Sequence, residues 1–297
     1  MRRRYLSDGN GEVQLGRDEG NGKARVLRFA GRRPEGWRAN RGAIVAELNG
    51  GQLAAKQLKL AGIDTAFAVL AGPMIEVLAG MQQEGIKVVN CRHEESAAFM
   101  AAAWGYIKKK PGVVVAGSGP GMTNTVTSMY VSTQSAMPLV VLGGSFHGAT
   151  AGLGGFQEAD QVAFAKPGCK WTEQVDSTER IPELLHLALG KAVSGRPGAV
   201  YLDFPGHMVS RRVPEESARF RTSAPTISRP LPEPAAIEAI AGMLAGAQRP
   251  LVLVGKGAAW SDAGGPLTEL VNMGIPFVGS PMGRGTIPDD NAMCVNA

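Results

Sequence analysis

The chain has 297 residues, 44% hydrophobic and 19% charged, a balance that predicts an ordinary globular protein of about two domains. No run of about 18 apolar residues occurs, which argues against a membrane span, and Cys91, Cys169 and Cys294 form neither a CxxC pair nor a cluster with the four histidines, which argues against a zinc site or a disulfide frame. The formal charge of +5 is local: residues 1–45 hold 11 Lys and Arg against 5 Asp and Glu, whereas the remainder holds 20 against 21, so no nucleic-acid footprint runs through the body of the chain.

Residues 1–45 are rich in Gly and Arg, including Arg2, Arg3, Arg4 and the stretch Gly31-Arg32-Arg33-Pro34, and show no sustained apolar periodicity; a disordered basic extension is expected. Asp8, Glu12, Asp18 and Glu19 count against a transit peptide, and no apolar signal core follows the opening arginines, so a cytoplasmic location with reduced thiols is expected. A basic tail for anionic partners is the second reading of this segment. From Ile44 the texture becomes regular α/β. Residues 51–61 place Leu53, Leu58 and Ala61 near one helical face, and Gly62 suits the helix end. A strand at 65–70 runs into the turn Ala71-Gly72-Pro73. A helix at 75–84, a strand at 86–91, a helix at 94–109 with small residues on its packing side, and a strand at 112–116 follow. The loop 117–121, a helix at 124–135 and a strand at 138–142 continue the alternation. Continuous apolar strands alternating with helices predict an α/β fold built on a doubly wound parallel sheet. After a loop at 148–160, a helix at 181–194 and a strand at 199–203 complete a first domain expected over 46–218. Pro and Ser make 219–234 a linker. A helix at 235–247, a strand at 250–254, the turn Gly255-Lys256-Gly257, a helix at 263–273 and a strand at 275–278 then predict the start of a second, Rossmann-like α/β domain over 235–297, shorter than is typical.

The chemistry-bearing residues cluster where ligands bind open parallel sheets, outside the carboxyl ends of the strands. Arg92-His93-Glu94-Glu95 sits at one strand-to-helix junction, and Ser118-Gly119-Pro120-Gly121-Met122-Thr123-Asn124 follows the next strand; Phe156-Gln157-Glu158 comes later. Ser118 to Gly121 is not the G-x-G-x-x-G fingerprint, and no acidic ribose partner follows the next strand. Glycines at this place let backbone approach a flat ring closely. In order and spacing these motifs resemble the thiamine-diphosphate-dependent superfamily that contains acetolactate synthases, 2-hydroxyacyl-CoA lyases and oxalyl-CoA decarboxylases. The resemblance runs from about Gly51 through the linker into the second domain.

The resemblance implies a pyrimidine-binding N-terminal domain in which Glu94 hydrogen-bonds the pyrimidine ring nitrogen of the cofactor, favouring the imino tautomer whose nitrogen removes the thiazolium C2 proton. Gly72, Pro73, Ser118, Gly119, Pro120, Gly121, Asn124 and Gln157 are implied as cofactor-facing. An apolar pocket raises a carboxylic acid's affinity for protons and a helix N-terminus lowers it, and the sequence leaves that contest open for Glu94. Glu95 lies about 100° further round a helix and does not share the role. A surface ion pair of Glu94 with Arg92 is the bland alternative. Gln157 matches an active-site glutamine of acetolactate synthases or is a solvated amide, and His93 faces substrate or is a loop histidine. Relatives bind FAD or ADP in the middle domain or have lost the nucleotide; Gly255-Lys256-Gly257 lacks a full fingerprint, so no ligand is assigned there.

The family holds the diphosphate through Mg²⁺ in a C-terminal domain marked by G-D-G and, further on, N-N, and neither pattern stands in a suitable setting here. The chain is therefore expected to provide no metal ligand and to be catalytically silent alone, as a fragment or a subunit completed by another polypeptide. Otherwise a homodimer or homotetramer is implied, with the site between subunits. The turn Leu70-Ala71-Gly72-Pro73-Met74 resembles the lyases and oxalyl-CoA decarboxylases, which implies a C–C lyase or decarboxylase acting on a 2-hydroxyacyl-CoA or oxalyl-CoA substrate. The alternatives are an acetolactate-synthase-like carboligase of 2-oxoacids and a noncatalytic binding or assembly module. Neither nucleic acid nor a membrane is an expected partner.

Overall fold

Val113, Val114 and Val115 lie in one uninterrupted apolar run with no polar alternate to face water, so a strand built from them needs cover on both faces. The computed structural model of the chain has that arrangement; it describes residues 46–145, 150–227 and 229–295 and the backbone of 6–7, 13–14 and 26–27. The chain divides into two units, Met1–Ile44 and Val45–Ala297. In the first, β1 (Leu6–Ser7), β2 (Val13–Gln14) and β3 (Val26–Leu27) form an antiparallel sheet in that order. The rest of the segment for which disorder is expected lies outside the described residues.

The second unit opens with β4 (Glu47–Asn49) and α1 (Gly50–Leu60). A reciprocal cap starts the helix: Asn49 Oδ1 accepts from the Gln52 N–H at 2.8 Å, and Gln52 Oε1 accepts from the Asn49 N–H at 3.0 Å. There follow β5 (Thr65–Ala68), α2 (Ile75–Gln83), β6 (Lys87–Asn90), α3 (Glu94–Lys108) and β7 (Gly112–Ala116). Next come α4 (Pro120–Thr123), α5 (Val126–Gln134), β8 (Leu139–Ser145) and α6 (Gln161–Ala165). The series closes with β9 (Trp171–Gln174), α7 (Ile181–Val193) and β10 (Ala199–Pro205). Six parallel strands line up in the order β6-β5-β7-β8-β10-β9. In this register Val114 stands opposite Phe67 and Val141, and Leu142 opposite Val115 and Leu202.

Successive strand residues point to opposite faces. Val113, Val115, Val140, Leu142, Val200 and Leu202 pack with Leu53 of α1, Val77 of α2 and Leu185 of α7. Val114, Val141 and Tyr201 pack on the other face with Ala97 and Ala101 of α3, Met129 of α5 and Ala165 of α6. The doubly wound sheet is therefore present with helices on both sides. From β5 the chain crosses to β6, then passes back to β7 on the far side of β5. That reversal opens a crevice at the carboxyl ends of β5 and β7, where an open α/β sheet takes its ligand.

Beyond β10, α8 (Gly206–Ser210) leads to β11 (Arg212–Pro214), which pairs antiparallel with β4. Residues 219–227 and 229–233 have no helix or strand. Then come α9 (Pro234–Gly246), β12 (Val252–Val254), α10 (Lys256–Trp260), α11 (Gly264–Val271) and β13 (Phe277–Gly279), with β12 and β13 parallel. Val254, Val271, Phe277 and Ile287 gather into a small core of their own, and α9 buries no residue.

The structure departs from the sequence reading in several places, of which three bear on the first domain's sheet and site. The helix expected at 124–135 begins at Pro120, which needs no N–H at a helix start, and breaks at 124–125. There the Thr125 hydroxyl donates to the Met122 carbonyl at 2.7 Å, competing with the helical ladder. Strand β9 was not expected because Trp171 to Gln174 is part-exposed and pairs only with β10 at the sheet edge. Strands β8 and β10 run past their expected ends because Gly144 and Ser145 pair with Phe204 and Pro205.

Candidate functional site

The N-terminus of a helix favours a carboxylate, and α3 places Glu94 and Glu95 in its first turn. His93 is the cap: its Nδ1 accepts from the Glu95 N–H at 3.2 Å, which gives this exposed histidine a local structural task. Glu94 is half-buried, and its Oε2 accepts from Asn124 Nδ2 at 2.9 Å. Glu95 is held differently, its carbonyl accepting from Ser128 Oγ at 3.0 Å. Among the described residues Arg92 forms no ion pair with Glu94, so the bland alternative is not what the structure holds.

The turn after β7 is shaped by two glycines. Gly119 has φ +52° and ψ −111°, and a Cβ on it would stand 2.5 Å from the Gln157 carbonyl oxygen, so only glycine fits. At Gly121 a Cβ would stand 3.3 Å from Glu94 Oε1; its absence keeps the space above that oxygen open. Pro120 opens α4, and the Ser118 hydroxyl donates to Gln157 Oε1 at 3.0 Å.

The residues singled out in the sequence fall into two linked groups. Glu94, Gly121 and Asn124 meet at the ends of β6 and β7. Gly72, Pro73, Ser118 and Gln157 line a cleft of about 940 Å³, together with Phe156 and His207. The turn of residues 118–121 belongs to both groups. His147 lies outside the described residues. Gln157 has φ +58° and sits in a loop clamped by the next residue: Glu158 accepts from the Gly155 N–H at 2.9 Å and from the Gly152 N–H. Those bonds, Gly152's first, hold the Glu158 carboxyl below its usual range.

Sequence reasoning missed the buried polar cluster beneath this turn. Gln161, Tyr201 and Asp203 are at most 3% exposed. Gln161 Oε1 accepts from the Gly119 N–H at 2.6 Å, and its Nε2 lies 2.7 Å from Asp203 Oδ1. Burial, then the Asp203 charge, pushes the Tyr201 hydroxyl well above the usual tyrosine range. One signal was available: Asp203 closes an otherwise apolar strand.

A second cavity, about 440 Å³, is lined by Arg196, Lys256 and Trp260 among others. Lys256 Nζ lies 4.2 Å from the centre of the Tyr106 ring and has no hydrogen-bond partner. Lys109 Nζ donates to the carbonyls of Ala259 at 2.6 Å and Trp260 at 2.9 Å. Burial, with Arg196 and Lys109 nearby, brings the Lys256 ammonium down to about 8. Among the described residues no group of three or more His, Cys, Asp or Glu could hold a metal ion, the three thiols are free, and no helix is long and apolar enough to cross a membrane.

Comparison with known proteins places the chain among relatives. Residues 48–164 match the family described as thiamine pyrophosphate enzyme, N-terminal TPP binding domain, and residues 237–297 match thiamine pyrophosphate enzyme, central domain. Human 2-hydroxyacyl-CoA lyase 1 is 34% identical over 254 residues, covering 84% of this chain and 44% of the lyase. An acetolactate synthase large subunit of Mycobacterium tuberculosis is 35% identical, with 83% and 45% covered. The oxalyl-CoA decarboxylase of Escherichia coli is 33% identical, with 84% and 45% covered. The chain thus spans about 45% of the length of the relatives it matches.

Proposed function

The chain belongs to the thiamine pyrophosphate enzyme family, and on that premise we propose that it forms the pyrimidine-facing half of a thiamine diphosphate site in a C–C bond lyase or decarboxylase of CoA thioesters. The observation that carries the reading is the Glu94 carboxyl at the start of α3. Asn124 fixes its Oε2, and Gly121 leaves the approach to Oε1 free of a side chain. These residues suit a flat heteroaromatic ring: a carboxyl oxygen offers a hydrogen-bond partner at the ring edge, and a glycine turn gives the ring a wall without bulk. Bound there, thiamine diphosphate would supply the carbon nucleophile and electron sink that cleavage beside a carbonyl requires.

This chain's own residues would then divide the work. Glu94 would hold and return a proton at Oε1. Asn124 would keep the carboxyl from rotating, and the turn of residues 118–121 would set the ring's distance. Gly72, Pro73 and Gln157 would border the space for the reacting substrate. Mg²⁺ and the diphosphate would be held by ligands from the part of the enzyme beyond this chain's match to its relatives, in a second polypeptide segment or another subunit of a dimer or tetramer.

The CoA-thioester reading is supported by the turn at Gly72-Pro73 and by likeness to the human lyase and the bacterial decarboxylase, named for 2-hydroxyacyl-CoA and oxalyl-CoA. Gln157, on the cleft wall, supports the second reading, a carboligase like acetolactate synthase. The test combines this chain with a polypeptide carrying the diphosphate-binding half, thiamine diphosphate and Mg²⁺, and compares turnover of oxalyl-CoA, a 2-hydroxyacyl-CoA and pyruvate. Glu94→Gln is expected to lower turnover by roughly 100-fold or more. Unchanged turnover in that variant would remove Glu94 from the role.

A further inference from the structure

We infer that Gln161 is a positioning residue for the cofactor-facing turn, oriented by the Asp203 carboxylate on one side and presenting its carbonyl oxygen to the Gly119 N–H on the other. The inference rests on the cofactor reading for its purpose, though not for its geometry.

The orientation of the Gln161 amide is determined by its neighbours. Its Nε2 lies 2.7 Å from Asp203 Oδ1, 2.8 Å from Tyr201 Oη and 3.1 Å from the Gly144 carbonyl oxygen. A carboxylate and a carbonyl only accept, so the amide nitrogen must be the end that faces them, and Oε1 is left to face the Gly119 N–H at 2.6 Å. Asp203 is itself fixed from four sides. Tyr201 Oη donates to Oδ1 at 2.6 Å, and Ser145 Oγ and Gln174 Nε2 donate to Oδ2 at 2.5 and 2.7 Å. With Gln161, four neutral donors cover both oxygens of a carboxylate that is 1% exposed. A fully satisfied buried network of this kind holds one arrangement in preference to others.

Gly119 is where that arrangement reaches the site. Its backbone lies in a region open only to glycine, and its N–H precedes the first bonded turn of α4, so a partner outside the local chain has to receive it. From Gly119 the constraint passes along the chain to Ser118, which meets Gln157, and to Gly121, which lies beside Glu94 Oε1. Gln161 touches none of the reacting groups; it acts through the backbone of the turn.

The test uses the full chain, with amide exchange followed residue by residue in NMR spectra. Gln161→Met keeps the volume and removes the acceptor. It is expected to speed exchange at the Gly119 amide roughly tenfold while Val114, within β7, stays as protected as before. Gln161→Glu keeps the acceptor and brings a second carboxyl against Asp203. The titratable groups facing that position are Asp203 and Tyr201 from β10, with Cys169 beyond Tyr201, and both of the latter remain protonated across the neutral range. Two carboxyls this close cannot both ionise cheaply. Gly119 protection in Gln161→Glu is therefore expected to hold at acid pH, where the pair shares a proton, and to fall as pH rises, whereas the parent chain shows no such profile. Gly119 exchange within about twofold of the parent in Gln161→Met, or a pH-independent Gln161→Glu, overturns the inference. Adding thiamine diphosphate, Mg²⁺ and a polypeptide carrying the diphosphate-binding half, conditions under which the unaltered chain's Gly121 amide is expected to respond to the cofactor, separates the two readings. If Gln161→Met loosens Gly119 but Glu94→Gln leaves the Gly121 amide's response to the cofactor unchanged, the relay stands and the cofactor reading falls.

Discussion

Residues 46–218 and 219–295 are both α/β in pattern, yet they bury very different amounts of apolar surface. In the first, a six-stranded sheet carries helices on both faces, and the buried Asp203 carboxyl beneath the turn of residues 118–121 has a donor for each oxygen, although Glu76 Oε2 is buried without a hydrogen-bond partner. In the second, the core gathers four buried residues, α9 leaves Ile237, Ile240 and Met243 exposed, and the Lys256 ammonium has no hydrogen-bond partner. A site that must hold a ring to within a fraction of an ångström needs the first kind of surroundings, because a rigid, satisfied base keeps a turn such as 118–121 in one conformation. The proposed chemistry therefore sits on the part of the chain best able to position it.

The largest effect that would break this contrast comes from the core. Leu142 is fully buried between Val115 and Leu202, and Leu142→Ala is expected to cost about 2–5 kcal/mol in denaturant unfolding. The same truncation at Leu253, 70% exposed on β12, should cost no more than about 0.5 kcal/mol. Equal costs at the two leucines would erase the distinction.

A smaller effect is expected at Lys256. Its ammonium titrates near 8 in the folded chain, below the ordinary lysine value of 10.5, so between those values the unfolded chain binds more protons and stability rises with pH. The burden of the buried charge is fully present below about 8 and is relieved on going up to about 10. Lys256→Met should accordingly melt higher than the parent at pH 7, with the gap narrowing as pH approaches 10. A gap that stays constant, or a variant that melts lower, would contradict the assignment. The smallest effect is local. Glu158 is depressed by backbone donors, Gly152 first and then Gly155, so its contribution to the loop is present above the ordinary glutamate range and lost as pH falls through the lowered value. Glu158→Gln should raise exchange at the Gly152 and Gly155 amides at neutral pH, and the difference from the parent should vanish in acid.

Much of the sheet was legible because Val113 to Val115 and Leu139 to Leu142 are apolar without interruption, and a run of that kind has few uses other than a strand covered on both sides. Glu94 was legible through the resemblance, because Arg92-His93-Glu94 and the later Ser118-Gly119-Pro120-Gly121 match that family's motifs in order and spacing. What stayed hidden depends on partners far away in sequence. Trp171 to Gln174 becomes a strand only because β10 is there to pair with it, and residues 47–49 and 212–214 find each other across the whole first domain. Gln161 gave no local sign of importance, since its acceptor role is created by Asp203, 42 residues later. Asn124 was marked by the resemblance as cofactor-facing, but its grip on Glu94, which spans 30 residues, was not legible.

The most direct measurement is the rate at which deuterium replaces the C2 proton of thiamine diphosphate when this chain is combined with Mg²⁺ and a polypeptide supplying the diphosphate ligands. The unaltered chain is expected to raise that rate by on the order of 100-fold or more over the free cofactor, and Glu94→Gln to return it to within a few-fold of the free value. Exchange in Glu94→Gln as fast as in the unaltered chain would contradict the central claim.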